Sequence, residues 1–345
     1  MVTFTTGTTG PAKAVLYSWA AMRSQAEATV RAIKRDAFEL VAATHIAHAY
    51  SLNAVFVAML PQCTGLTVVP SLDELVATVS ALSPLQQQQH RVLLGSPSVY
   101  SVLATSSLTS LPFDLLYSAG CPLPRDLQQR VYDRFGLVVV QNYGSTETGN
   151  IAFVGSDDLA VLDREELAWC AGSTPEPDTV RLLPPLPGRL LAPGFEGDIC
   201  VRSPWRSTGY VLEGGRLEPH PEWYRTSDMG RWHKGRLVVG PRLRPPFQVT
   251  DPVSGLFALL QPWQLEQVLG QTDGVKEVAV VAIGAEQAAY GAVVTVEDLA
   301  KTDPATLFSH LVLLLKPAKV VAIGTAIPRS AAGKIYYPAV EKLLL

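Results

Sequence analysis

Five short runs in the first 140 residues leave few folds open: Val41-Ala42-Ala43-Thr44, Leu66-Thr67-Val68-Val69, Arg91-Val92-Leu93-Leu94, Asp114-Leu115-Leu116-Tyr117 and Leu137-Val138-Val139-Val140. None alternates apolar with polar residues. Each therefore reads as a strand buried on both faces, the mark of a parallel sheet rather than a one-sided antiparallel one. Helical segments are predicted at Ser18 to about Arg35, Leu52–Leu60, Ser98–Ala104 and Pro124–Phe135, the last closed by Gly136. A further helix is predicted to open at the capping box Ser71-Leu72-Asp73-Glu74. Strands alternating with helices specify an α/β layer with the sheet covered on both sides.

The pattern changes after about residue 155. Prolines and glycines crowd Pro175–Gly197, helical periodicity fades, and short β runs such as Asp198–Arg202 and Arg236–Val239 predict a small antiparallel barrel or sandwich. Pro241–Pro246 carries three prolines and two arginines and reads as a boundary. Beyond it come a helix near Gln264–Leu269, strands at Glu277–Ile283 and Ala292–Val296, a helix near Ala305–Leu315 and a strand at Val320–Ile323. That is a second, α+β domain of ordinary size. The expected division is a large domain over residues 1–243, with 155–243 its β-rich part, and a small domain over 244–345.

One stretch is chemically distinctive: Phe4-Thr5-Thr6-Gly7-Thr8-Thr9-Gly10-Pro11-Ala12-Lys13-Ala14-Val15. Glycines let backbone amides approach an anion, threonine hydroxyls add donors, and lysine adds a compact positive charge. The spacing is not that of a Walker loop, and by itself the stretch reads equally well as an ordinary Thr/Gly turn. With 17% charged residues, a formal charge of −3 and no basic stripe, the chain is not expected to bind nucleic acid. Cys63, Cys121, Cys170 and Cys200 form no CxxC pair and read as reduced thiols of a cytoplasmic protein. The first residues are not a secretory leader. Val41–Leu60 carries no formal charge over a length that could span a bilayer. It also holds Thr44, His45, His48, Tyr50, Ser51 and Asn53, which favour a buried strand, loop and helix. His45 and His48 have no third partner in the sequence that would make a zinc site.

In chain order the sequence then shows His48-Ala49-Tyr50, Ser118-Ala119-Gly120-Cys121-Pro122-Leu123, Asn142-Tyr143-Gly144-Ser145-Thr146-Glu147, Gly197-Asp198-Ile199-Cys200-Val201-Arg202 with Gly209-Tyr210, Trp223-Tyr224-Arg225-Thr226-Ser227-Asp228 and Pro328-Arg329-Ser330-Ala331-Ala332-Gly333-Lys334-Ile335. Together with the Thr/Gly stretch these resemble the acyl-adenylate-forming superfamily: acyl- and aryl-CoA synthetases, peptide-synthetase adenylation domains and luciferase. The resemblance implies ATP-dependent activation of a carboxylic acid as acyl-AMP, followed by transfer to a thiol, with ATP and Mg²⁺ required and CoA or phosphopantetheine as acceptor. By resemblance, Thr5, Thr6, Gly7, Thr8, Thr9, Gly10 and Lys13 embrace the departing phosphates. Thr146 contacts the α-phosphate and Glu147 holds Mg²⁺, a hard cation suited to carboxylate oxygen. Tyr143, Gly120, Cys121, Pro122, Asn142 and Gly144 frame the nucleotide. Asp228 receives the ribose hydroxyls with Arg242 beside it, Lys334 bridges carboxylate and phosphate, and His48, Tyr50, Ala119 and Ser145 line the acid pocket.

The chain also departs from that pattern. Well over a hundred residues usually precede the phosphate loop, so this chain resembles a truncated large domain followed by the small mobile one. The shorter front predicts an uncovered apolar face, met by a homodimer or a partner chain. The loop's usual Pro-Lys-Gly reads Ala12-Lys13-Ala14, and Ser227 stands where a Thr-Gly-Asp glycine is usual. The hinge, Gly240-Pro241-Arg242-Leu243-Arg244-Pro245-Pro246-Phe247-Gln248, lacks the family's acidic and lysine positions, with Arg244 best matching the pivot. By resemblance the acceptor thiol is CoA, with a carrier protein as the runner-up, and a scaffold that keeps the fold without turnover is the alternative of a different class.

Overall fold

The computed structural model describes residues 1–5, 12–46, 48–86, 88–167, 169–186, 190–242, 244, 246–250, 257–283, 289–330 and 334–345. The chain opens with a hairpin of β1 (Val2–Phe4) and β2 (Ala14–Leu16), Val2 opposite Leu16. Helix α1 (Trp19–Ile33) starts where Ser18 Oγ accepts from Ala21 N at 3.0 Å, and stops at Lys34, whose backbone is left-handed. There follow β3 (Phe38–Ala42), α2 (Ala49–Val57), β4 (Cys63–Val68), α3 (Leu75–Ala81), β5 (Arg91–Gly95), α4 (Pro97–Thr105), β6 (Leu115–Ser118), α5 (Arg125–Phe135), β7 (Val139–Ser145) and β8 (Gly149–Phe153).

These strands form one sheet in the order β4-β3-β5-β6-β7-β8, parallel except for β8. The uninterrupted apolar runs are explained by its two cores. Leu40, Val92, Leu94, Tyr117 and Val140 pack against Val30 and Ile33 of α1 and Ala54 and Val57 of α2. Their sequence neighbours Val41, Leu93, Leu116 and Val139 face Leu75, Val99, Leu103 and Leu127 on α3–α5. Strand β4 is one edge of the sheet, and Trp19 and Met59, on α1 and just after α2, are 68% and 72% exposed.

Two short helices, α6 (Ser156–Val161) and α7 (Arg164–Leu167), occupy a region in which the sequence reading places none. Beyond them β9 (Cys170–Gly172), β10 (Val180–Leu183), β11 (Gly197–Val201), β12 (Gly209–Val211), β13 (Leu217–Pro219), β14 (Tyr224–His233) and β15 (Arg236–Arg242) form antiparallel pairings. The β-rich part is a sheet in the order β10-β11-β14-β15-β9, whose two edge strands do not pair with each other. A second sheet, β1-β2-β12-β13, ties the opening hairpin to Gly209–Val211.

The remaining elements are a hairpin of β16 (Phe247–Thr250) and β17 (Phe257–Leu260), α8 (Pro262–Gly270), β18 (Val275–Ile283), β19 (Ala289–Val296), β20 (Lys319–Ile323) and α9 (Tyr337–Leu344). Helix α8 covers one face of the β18-β19-β20 sheet through Leu265 and Leu269, and α9 the other through Val340 and Leu344.

Two expectations fail. Ser71–Glu74 is a turn closed by Glu74 N donating to Ser71 O, and α3 begins only at Leu75, without a side-chain cap. The helix near Ala305–Leu315 is a run of turns ending in a single 3-10 turn, Leu313–Leu315. There Asp303 accepts from Ala305 N and Thr306 Oγ1, local bonds that compete with a helical ladder. Among the described residues no helix is long and apolar enough to cross a membrane.

Candidate active site

The carboxyl ends of parallel strands are where an α/β sheet leaves room for ligands. Here Ala119-Gly120-Cys121 follow β6, and Thr146-Glu147-Thr148 form the hairpin tip between β7 and β8. Gly144 makes that hairpin possible, since a Cβ there would stand 2.4 Å from Gly149 O. Ser145 Oγ and Thr148 Oγ1, 3.0 Å apart, brace the tip from within.

Thr5 and Lys13 form the feet of the Thr/Gly loop. Thr5 N donates to Lys13 O at 3.0 Å, and Lys13 N donates to Thr5 Oγ1 at 2.9 Å. Thr6, Gly7, Thr8, Thr9 and Gly10 lie outside the described residues. Tyr17, just past the loop and buried, donates from its hydroxyl to Thr146 O at 2.7 Å, joining the loop to the Thr-Glu turn. Lys13 Nζ lies 4.7 Å above the Tyr210 ring, and the Tyr210 hydroxyl donates to Glu147 Oε1 at 3.1 Å. His220 packs edge-on against Tyr210 and tilted against Tyr224, each at 4.7 Å. Among the described residues no three His, Cys, Asp or Glu side chains converge. Glu147 fits Mg²⁺ as one carboxylate among phosphate and water oxygens, the usual arrangement for that ion.

Asp228 and Arg242 are cross-strand partners on β14 and β15. Asp228 Oδ2 accepts from the Tyr143 hydroxyl at 2.7 Å, and Arg242 Nε lies 3.4 Å from Oδ1. Asp228 N donates to Thr226 Oγ1 and Arg242 donates to Thr226 O, so Thr226 ties the two residues to one stretch of β14. Ser227, where glycine was expected, keeps the left-handed backbone a glycine would take, φ 66°.

Lys334 closes the site from the far end of the chain. It is held by Ser330 N donating to Lys334 O at 2.7 Å; Ala331–Gly333 are outside the described residues. Burial pulls its ammonium below the usual lysine range and Arg242 adds to that, while Asp228, Glu147 and Cys121 oppose it. Cys121 is half-buried, and burial pushes its thiol up against the opposing pull of Arg329 and Lys334. His48, the N-cap of α2, accepts weakly from Tyr50 N at Nδ1, 3.4 Å. Burial first, then Lys334 and His45, lower it to about 4, so it is neutral near pH 7. Tyr50, Ala119 and Asn142 are buried and Ser145 is partly so.

The His48 shift has a consequence for stability. Between pH 6.5 and about 4 the unfolded chain holds a proton at this histidine that the folded chain refuses. Stability from this group is therefore complete above pH 6.5 and lost as pH falls towards 4, by about 3 kcal/mol at most. Urea unfolding at pH 7 and pH 4.5 is expected to show this loss in the wild type and a smaller one in His48→Gln; equal losses would remove His48 as its source.

The hinge stretch is only partly described, with Leu243 and Pro245 outside it. Arg244 is tied to elements that follow it in the chain. It donates to Val280 O at 2.9 Å and Glu266 Oε1 at 2.6 Å and lies 4.3 Å over Tyr337, all on elements after the boundary. Tyr17, Tyr210, Tyr224, His220 and Thr226 are the site members that sequence reasoning assigned no role. Tyr17 and Tyr210 bond to the Thr146-Glu147 turn from far away in the chain, and only the motifs Gly209-Tyr210 and Trp223–Asp228, which hold Tyr210, Tyr224 and Thr226, gave any sign of these residues.

A family described as AMP-binding enzyme matches residues 1–211. The indoleacetate–CoA ligase of Aromatoleum aromaticum is 26% identical over 364 residues, covering 100% of this chain and 67% of that protein. The p-hydroxybenzoic acid–AMP ligase FadD22 of Mycobacterium marinum is 28% identical over 298 residues, 81% of this chain and 39% of that one. Among solved structures, ATP-bound MatB from Rhodopseudomonas palustris superposes with a TM-score of 0.72 at 21% identity, over 99% of this chain and 67% of that chain. The chain thus spans about two thirds or less of the length of these relatives.

Proposed function

Because the chain belongs to the AMP-binding enzyme family, we propose that it activates a carboxylic acid as its acyl-adenylate and passes the acyl group to a thiol, CoA being the acceptor we favour. The observation that carries this reading is the gathering of Lys334, Asp228, Glu147, Arg242 and His48 from separate elements into one electrostatic neighbourhood.

In this reading Asp228 and Tyr143 fix the ribose, and the loop between Thr5 and Lys13 takes the outer phosphates. Glu147 would hold Mg²⁺, which would supply positive charge to the phosphates. The acid's carboxylate lies between neutral His48 and the Lys334 ammonium and attacks the α-phosphorus. The new bond is a mixed carboxylic–phosphoric anhydride, the broken one joins the α- and β-phosphates, and pyrophosphate carries the charge away. Lys334 supplies the stabilisation for charge building on the phosphoryl oxygens, in a setting where few waters compete. We place the division between the two units at residues 243–244, supported by Arg242 bonding to Thr226 and Asp228 and Arg244 to Val280 and Glu266.

ATP–pyrophosphate exchange over a panel of acids tests the reading. Exchange that requires both an acid and Mg²⁺ is the expected result. Its absence across the panel, with ATP failing to bind in calorimetry, would leave only a non-catalytic scaffold.

A further inference from the structure

His220 lies outside every motif that marked the site, yet its ring packs on two tyrosines that lead to Glu147. The backbone puts it there. Strands β12 and β13 pair with Gly209 opposite Pro219 and Tyr210 opposite Glu218, and His220 N then donates to Thr208 O at 3.0 Å. Gly209 permits this pairing, since a Cβ there would stand 2.1 Å from Glu218 O. Two residues beyond Glu218, His220 falls on the same face as Tyr210, as its diagonal neighbour. Its ring meets Tyr210 at 4.7 Å and 88°, and Tyr224 at 4.7 Å and 59°.

The two tyrosine hydroxyls form a chain with one direction. An ionised carboxylate can only accept, so the Tyr210 proton goes to Glu147 Oε1 at 3.1 Å. Tyr224, whose hydroxyl lies 3.1 Å from that of Tyr210, must then donate to the Tyr210 oxygen. The same segment holds the backbone of Glu147, because Ser207 N and Oγ both donate to Glu147 O, at 2.9 and 2.7 Å. Lys13 Nζ stands 4.7 Å from the Tyr210 ring centroid. One tyrosine therefore touches both the carboxylate suited to Mg²⁺ and the lysine of the Thr/Gly loop. The histidine that packs on it acts by shape. Its Nε2 is buried without a hydrogen-bond partner. Burial chiefly lowers its pKa from the usual histidine value, Arg206 and Lys13 adding and Glu147 and Glu218 opposing, so the ring is neutral near pH 7.

Resting on the adenylation reading above, we propose that His220 is a positioning residue, whose ring braces Tyr210 and Tyr224 so that Tyr210 fixes Glu147 and Lys13 for the metal-bound outer phosphates of ATP. It touches no substrate itself. The consequence is a split between nucleotides. ATP·Mg²⁺ draws on Glu147 and Lys13, whereas AMP has no outer phosphates and rests on Asp228 and Tyr143.

Calorimetric titration tests this without turnover. His220→Ala is expected to bind ATP·Mg²⁺ about 10–100-fold more weakly, the usual loss when a group that orients a metal ligand is removed, and to bind AMP as the wild type does. His220→Phe keeps an aromatic ring and should recover most of that loss, while His220→Gln, polar but without a ring, should not. Wild-type affinity for ATP·Mg²⁺ in His220→Ala, an equal loss for AMP, or rescue by Gln rather than Phe would overturn the inference and leave adenylation standing. If the wild type binds neither nucleotide, the adenylation reading fails first, and melting temperatures decide the brace. His220→Ala should then lower the melting temperature by about 2–4 °C, and by much less when Tyr210 and Tyr224 are already alanine, because contacting residues are not additive. No drop, or an undiminished one in that background, would overturn it.

Discussion

Lys334→Ala is expected to slow acyl-adenylate formation by about 10²–10³-fold, the usual effect of removing one preorganised group from a site of charge development. The reasoning starts from where the ammonium sits. It is drawn among Asp228, Glu147 and Arg242, and burial already disfavours its charge, so an arriving phosphate and carboxylate give it the counter-charge it lacks. The loss should be confined to the first half-reaction. Transfer from supplied acyl-AMP to the acceptor thiol forms no new charge on a polyphosphate, and should survive. Rapid-quench measurement of the two steps separates them. Equal impairment of both would show that Lys334 does more than adenylate, or that the variant is misfolded; a wild-type melting temperature rules out the second.

Asp228→Ala should weaken ATP binding by about 1.5–3 kcal/mol, roughly 10- to 150-fold, through loss of a charged acceptor for hydroxyl donors. Its effect on stability should be smaller. The Arg242 side chain keeps 44% exposure, so water takes over from the missing carboxylate, and exposed pairs contribute about 1 kcal/mol or less. Asp228→Asn is the sharper probe, since it can still accept from the Tyr143 hydroxyl while losing the charge. Titration of both variants with ATP·Mg²⁺ gives the numbers, and affinities equal to wild type would remove Asp228 from the nucleotide site.

The parallel layer was legible because burial on both faces erases polar alternation, and sequence neighbours such as Leu40-Val41 and Val92-Leu93 feed opposite cores. Helix α9 was not foreseen, although Val340 and Leu344 share the four-residue spacing of a buried stripe; it is short and begins at Tyr337-Pro338. The apolar Leu313-Leu314-Leu315 run suggested a helix, yet Val312 and Leu313 are 66% and 50% exposed, and the segment reaches the core of the small unit through Phe308, Leu311 and Leu315 as turns rather than as a helix. At the site, local motifs marked Glu147, Asp228 and Lys334. The groups that aim them were hidden, because the bonds from Tyr17 to Thr146 and from Tyr210 to Glu147 join positions far apart in the chain. No periodicity records such pairs.

The buried ammonium also makes two equilibria answer to each other. In the division proposed above, Lys334 belongs to the unit that starts at Arg244, and the groups acting on it, Arg242, Asp228, Glu147 and Cys121, all precede that residue. If bound nucleotide steadies that lysine in place, the seated position of the small unit must strengthen nucleotide binding by the same factor, since coupling between two binding events is reciprocal. Loosening the Arg244–Glu266 attachment, far from any phosphate, would then register as weaker affinity for ATP.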